Sequence, residues 1–271
     1  MQNYICVTCG NQFAATEEPP PNCPICEDER QYVNPAGQSW TTHAALLREH
    51  HNILQSLEPG LTEIVTDPAF GIGQRALLVQ TPKGNVLWDC LGVVDDGTIG
   101  AIGALGGISS LAMSHPHMFG CMVEWSHAFD DAPVHLHADL RRWVQRPDPV
   151  IDFWEGESRD LDGGLQLYRC GGHFQGSTVL LWPEGAQGRG ALLSSDTIHV
   201  ARDRRHVSFM YSYPNYIPLP AAAVDRIVNR VMPLKFDRIY SAFHHLEIEA
   251  DAKGSLERSV ARYKRAIGSG M

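Results

Sequence analysis

The sequence predicts an α+β protein, with two β-sheets packed together, helices covering them on the outside, and a small metal-binding module ahead of them. Three observations carry this prediction. Short apolar segments of strand length recur from Leu61 to Ser241, with helical stretches at intervals and two amphipathic helices near the end. That order layers sheet on sheet with helices outside. Two Cys-x-x-Cys pairs stand in the first forty residues. An apolar run, Gly107 to Met113, leads directly into His115-Pro116-His117.

The module comes first and spans residues 1–40, leaving 41–271 for the main domain. Cys6-Val7-Thr8-Cys9 and Cys23-Pro24-Ile25-Cys26 each place two thiols on a tight turn, and thirteen residues separate the pairs. This spacing suits a tetrahedral four-cysteine site. So small a segment has almost no core, so bound metal supplies most of its folding free energy. The module resembles a zinc ribbon or a rubredoxin-like knuckle, and spacing does not choose between zinc and iron. Acidic residues outnumber basic ones five to one here, which disfavours contact with nucleic acid.

Pro35 to Ser39 reads as a linker. A helix is expected over Ala44–Leu57, capped by Thr41 or Thr42 and stopped by Pro59-Gly60. Strands are expected at Leu61–Thr66, Arg75–Thr81 and Asn85–Asp89, the last two joined by a Lys83-Gly84 turn. A helix over Thr98–Leu105 precedes the apolar run, read as a buried strand. Alternate side chains of an extended strand share a face, so His115 and His117 should project together from its end. Helices follow at Cys121–Ser126 and Leu136–Val144, with a strand near Pro133–His135. Further strands are expected at Leu165–Cys170, Ser177–Trp182, Ala191–Ser195 and Phe236–Ser241, and helices at Ala221–Val231 and Ala252–Ile267.

Composition bounds the function. No apolar run reaches the roughly 20 residues that span a bilayer, and the N-terminus lacks the basic and apolar regions of a secretory signal. A cytoplasmic protein is expected. The net charge of −9 argues against nonspecific nucleic-acid binding. Of seven cysteines, Cys90, Cys121 and Cys170 stand singly among apolar neighbours and read as core residues.

Other metal-capable residues end predicted strands: His173 in the glycine-rich Gly171–Ser177, Asp196 after an apolar run, and His244-His245 after Ile239–Phe243. The order His115-x-His117, Gly172-His173, Ser195-Asp196-Thr197, Phe243-His244 resembles the metallo-β-lactamase superfamily, an αββα sandwich. The resemblance covers residues 60 to 266, with Asp89-Cys90-Leu91-Gly92 in place of the family's Asp-x-Gly turn. It implies that His115, His117 and His173 hold a first metal, that Asp196 bridges two metals, and that His244, rather than His245, serves the second. The family signature His-x-His-x-Asp-His is incomplete, because Phe119 and Gly120 occupy the aspartate and final histidine positions. Asp196 and His244 alone are too few for a second tightly held ion.

A mononuclear hydrolase therefore follows. Three imidazoles with an open position lower the pKa of zinc-bound water to about 7, for attack on an ester, thioester, lactone or amide of a small molecule. In this reading Asp196 is fourth ligand or general base, and His244 orients substrate or carries protons. Met118, Phe119 and Trp125 would line an apolar mouth, with core packing an equal expectation for Trp125. The pocket metal is zinc or another divalent transition metal. The rival reading is a catalytically degenerate scaffold whose four-cysteine module recruits a protein partner. Electron transfer, as in flavodiiron proteins, would need a two-metal centre and a flavin domain. RNA processing is opposed by the acidic balance.

Overall fold

The structure, a computed structural model, describes residues 1–268. It divides into two compact units, Met1–Trp154 and a second that begins at Glu155. Among the described residues no helix is long and apolar enough to cross a membrane.

In the first unit, the strand Tyr4–Cys6 pairs antiparallel with Trp40–Thr42, so the chain on both sides of the cysteine loops is tied together. Cys23 precedes a one-turn helix, Pro24–Glu27, whose first position takes the proline that needs no amide partner there. All four cysteines are buried. A seven-stranded sheet follows, in the order His51–Glu58, Leu61–Asp67, Arg75–Val79, Val86–Trp88, Ser110–Ala112, Val134–His137, Ile151–Trp154. The first four strands are antiparallel meanders; from Val86–Trp88 onward the pairing is parallel. Parallel neighbours need crossovers, supplied by the helix Asp96–Ala104, the helix Met122–His127 and the 3-10 turns of Ala138–Trp143. The carboxyl ends of parallel strands are where open sheets of this kind build sites. Here those ends carry Asp89, His115 and His137.

Four expectations need correction. The helix over Ala44–Leu57 is a single turn, His43–Leu46, followed by the strand His51–Glu58. Thr42 caps that turn by accepting from Ala45 N at 3.3 Å. Beyond it, Ile53 and Leu54 have neighbours on the next strand, Val65 and Ile64, and Pro59-Gly60 closes a hairpin instead of stopping a helix. Cross-strand pairing outweighs a helical pattern that apolar residues at 46, 47, 53, 54 and 57 also satisfy. Second, Leu136–Val144 begins in a strand, and its remainder is 3-10 rather than α-helical. Third, the run before His115 forms a strand only over Ser110–Ala112. His115 is extended (φ −168°), but Pro116–Met118 is a 3-10 turn. The two histidines meet through that turn, not through strand alternation. Fourth, Met118 and Phe119 are buried and pack the core instead of lining an open mouth, and Trp125 takes the core position equally expected of it, donating to Leu91 O at 3.1 Å.

The module is joined to the rest of its unit by a polar clamp. Gln12 N donates to Gly120 O at 3.1 Å and Ala14 N to Gln145 O at 3.0 Å. Glu124 accepts from Gln12 Nε2 at 3.1 Å and from Arg146 Nη1 at 2.7 Å, and Arg146 also donates to the Gln12 amide oxygen. Burial pushes the Glu124 carboxyl up, but the Arg146 hydrogen bond and charge, with Gln12, bring it below its usual range overall. A lowered carboxylate stabilises the fold above its unfolded pKa and loses that contribution as pH falls through the folded value. Amide exchange at Gln12 and Ala14, corrected for intrinsic rate, is expected to rise as pH drops below about 4. Glu124→Gln should flatten that profile, and a flat profile in the unaltered chain would rule the clamp out.

The second unit holds a six-stranded sheet in the order Ser158–Asp160, Gln166–Arg169, Thr178–Trp182, Ala191–Ser195, Arg238–Ser241, Glu247–Ile248. Its one parallel pair, Ala191–Ser195 with Arg238–Ser241, is bridged by a crossover that includes the helix Ala221–Val231. Ala223, Val224, Ile227 and Val231 form that helix's buried face, and Ala252–Ala266 adds Leu256 to the same cluster. Tyr263 fastens the last helix by donating to Leu219 O at 3.0 Å. Cys170 behaves as a core thiol here, with its pKa pushed up to about 12 by burial. Burial raises Cys90 and Cys121 in the first unit likewise.

Candidate metal centres

The four-cysteine cluster has the dimensions of a metal site. Cys6 and Cys26 sulfurs lie 3.6 Å apart and those of Cys9 and Cys23 3.7 Å apart. A disulfide would need about 2.05 Å, whereas the edge of a tetrahedron with 2.3 Å metal–sulfur bonds is about 3.8 Å. Two side-chain amides donate to sulfur: Gln38 Nε2 to Cys6 at 3.2 Å and Asn11 Nδ2 to Cys9 at 3.5 Å. Such donors offset thiolate charge and tune the metal.

The histidine turn of the first unit is fixed by its neighbours. Asp89 sits in the left-handed region (φ 61°), and its Oδ1 accepts from Ser114 N at 2.8 Å. Ser114 Oγ is 2.8 Å from His115 Nδ1, which leaves Nε2 to face a ligand. Met118 N returns to His115 O at 3.0 Å and Cys90 N donates to Met118 O at 3.0 Å. The His115 and His117 ring centroids are 5.3 Å apart at 77°. Gly120 is also left-handed (φ +50°), and a Cβ there would meet Leu91 O at 2.7 Å. The Asp89–Gly92 turn and the His115–Cys121 segment thus brace each other by backbone contact.

In the second unit, Gly171 and Gly172 both have positive φ, and a Cβ on Gly172 would meet Ile227 Cδ1 at 2.8 Å. This close approach seats the loop on the helix Ala221–Val231 and aims His173, which is 1% exposed. His173 Nδ1 is 3.1 Å from Met210 O, again directing Nε2 toward a ligand. Asp196 follows Ser195, itself at φ 48°. His199 Nδ1 lies 3.2 Å from Asp196 Oδ1, and Tyr213 donates its hydroxyl to Asp196 O at 2.9 Å. Burial and the Asp196 charge hold the Tyr213 phenol protonated well above its usual range.

Among the described residues, two groups of side chains could hold a metal ion: the four cysteines, and His115, His117, His173 and Asp196. In each group the offered ligand atoms all lie within 4.8 Å of one another, and every member is buried. His244 is outside both groups; it is exposed, with its ring 3.6 Å from that of His245. The sequence reasoning missed His199 and Tyr213, although His199 stands three residues after Asp196. It also passed over His135 and His137, buried on one strand and directed to Asp152 at 3.2 Å and Asp139 at 3.5 Å. Neither belongs to a metal group.

No protein-family model matches the chain. One relative is 50% identical over 271 residues, covering 99% of this chain and 98% of its own: the uncharacterized protein YmaE of Bacillus subtilis (strain 168). The chain belongs to the YmaE family. Solved structures place the fold of this YmaE-family chain among the metallo-β-lactamases. The DIM-1 enzyme exposed to ceftazidime superposes with a TM-score of 0.59 at 12% identity, covering 80% of this chain and 98% of that one. A B3 enzyme with an active-site glutamic acid gives 0.53 at 15%, over 81% and 89%. A Cronobacter sakazakii enzyme with a HARLDQ motif gives 0.52 at 17%, over 79% and 92%. The α+β class and metallo-β-lactamase type expected of the YmaE-family sequence are those of its structure, with a four-cysteine cluster at the N-terminus.

Proposed function

We propose that this YmaE-family chain is a metal-dependent hydrolase that uses one pocket metal on His115, His117 and His173, with Asp196 as fourth ligand or general base. The observation that carries the reading is the donor set: three buried imidazoles and one buried carboxylate gathered within 4.8 Å. That set fits zinc or another divalent transition metal. Such a metal polarises a carbonyl and lowers the pKa of water at its open position to about 7. The residues supply the rest. Ser114 and Met210 O hold the His115 and His173 rings through Nδ1. As general base, Asp196 would take a proton from the attacking water and pass it to the departing oxygen, sulfur or nitrogen, with His199, 3.2 Å away, placed to share it. His244, exposed beside His245, is assigned to substrate contact or proton transfer.

The substrate class we assign is a small ester, thioester, lactone or amide. A single metal is favoured because Phe119 and Gly120 stand where the metallo-β-lactamase signature has its second-site ligands, and both are buried. The same replacement supports the second reading, a degenerate binding scaffold.

Elemental analysis with a hydrolysis screen tests the proposal. The full chain is expected to carry two metals, one per group, and to hydrolyse members of a panel of neutral and anionic chromogenic acyl compounds. His117→Ala should keep one metal and lose turnover by at least about a hundredfold. Turnover unchanged in that variant would refute the mechanism. One metal in the unaltered chain, with no hydrolysis, would favour the scaffold.

A further inference from the structure

The two metal groups are joined by one side chain. Asn11 is 2% exposed and lies just beyond the second cysteine of the first pair. Its Nδ2 donates to Cys9 Sγ at 3.5 Å and to Pro116 O at 3.1 Å. Both partners are acceptors, which fixes the orientation of the amide, and its two hydrogens serve one partner each. Pro116 stands between His115 and His117. Next in the chain, Gln12 N donates to Gly120 O at 3.1 Å, at the other end of the same turn. The Cys9–Gln12 knuckle therefore grips the histidine turn at both ends. A cysteine that ligates a metal is a thiolate, and a hydrogen bond to an ionised acceptor is about twice as strong as a neutral one.

We propose that the four-cysteine centre is a positioning device for the histidine turn, with Asn11 as the connecting group. Metal in the cysteines fixes the Cys9 thiolate, the thiolate orients Asn11, and Asn11 holds the Pro116 carbonyl and with it the spacing of His115 and His117. The cysteine module thereby acts on the pocket within its own chain, rather than only recruiting a partner. The consequence for pocket metal affinity rests on the pocket reading above; the mechanical link does not.

The test uses the full chain and Asn11→Asp, which keeps the shape of the side chain but loses both donors. Gln38→Ala is the control, because Gln38 also donates to a cysteine sulfur but not to the turn. Two quantities are read in zinc-loaded protein: hydrogen exchange at the Met118 and Cys121 amides, and pocket affinity for zinc by chelator competition. Asn11→Asp is expected to retain the four-cysteine metal, to speed exchange in the turn about tenfold, and to weaken pocket zinc about tenfold. Gln38→Ala, compared at equal occupancy of the four-cysteine site, should leave both unchanged. Exchange at wild-type rates in Asn11→Asp, with the four-cysteine metal retained, would overturn the proposal, as would equal effects in Gln38→Ala with that metal retained. If the unaltered chain takes up no pocket zinc, the hydrolase reading fails on its own and the exchange rates still decide the link. Should Asn11→Asp not fold, Asn11→Ser, which keeps one donor, carries the same two outcomes.

Discussion

Arg75→Met is expected to cost the fold about 3–5 kcal/mol. Arg75 and Glu63 lie on adjacent antiparallel strands in diagonal register, since Glu63 faces Leu77 and Arg75 faces Val65. Such neighbours share a sheet face. Their side chains are each 1% exposed and meet at 2.8 Å between Nη1 and Oε1. Removing the guanidinium takes from a buried carboxylate the cation that meets it at 2.8 Å, and the desolvated charge that this pairing offsets is the source of the loss. The double replacement Glu63→Leu with Arg75→Met removes both charges and should recover most of the stability. Urea denaturation of the two single variants and the double gives the cycle. A double variant as unstable as Arg75→Met would mean that packing, not the loss of the ion pair, sets the cost.

Gly120→His, alone or with Phe119→Asp, is expected not to rebuild a second metal site. The pair restores the residues of the metallo-β-lactamase signature, but the backbone at Gly120 is left-handed and a Cβ would stand 2.7 Å from Leu91 O. The obstacle is main chain, which cannot swing aside as a side chain does. Left-handed strain and forced overpacking each cost about 1–3 kcal/mol, so the single variant should lose at least about 2 kcal/mol. Phe119→Asp adds a carboxylate at a position that is 1% exposed. Metal content should stay at the wild-type value or fall. A stable double variant holding one further metal would show that only two side chains separate this chain from a two-metal site.

Elements whose pattern admits one reading were legible in the sequence. The helix Ala221–Val231 shows its apolar stripe at 223, 224, 227 and 231, and the cysteine pairs state their own spacing. The stretch from His43 to Glu58 was misread because its apolar positions satisfy both periods, and only the partner strand Leu61–Asp67 decides between them. His115, His117, His173 and Asp196 were legible as residues at strand ends, because histidine and aspartate after apolar runs stand out. The turn that presents His117 was not, since it depends on Asp89 and Ser114 bracing a 3-10 backbone. Asn11 was invisible for a plainer reason: it acts on a carbonyl 105 residues away, and an asparagine beside a cysteine carries no signal of that.

The clamp on the cysteine module also orders events during synthesis. Every residue needed for the four-cysteine cluster has been made by Trp40–Thr42, whereas the partners that grip it, Pro116, Gly120, Gln145 and Arg146, come about a hundred residues later. At 5–20 residues per second the ribosome takes roughly 5–20 s to supply them. Through that interval the nascent chain presents four thiols without the partners that later grip the module. If the four sulfurs take a metal, the ions and oxidants that reach them in those seconds set how much of the protein starts folding with that site filled.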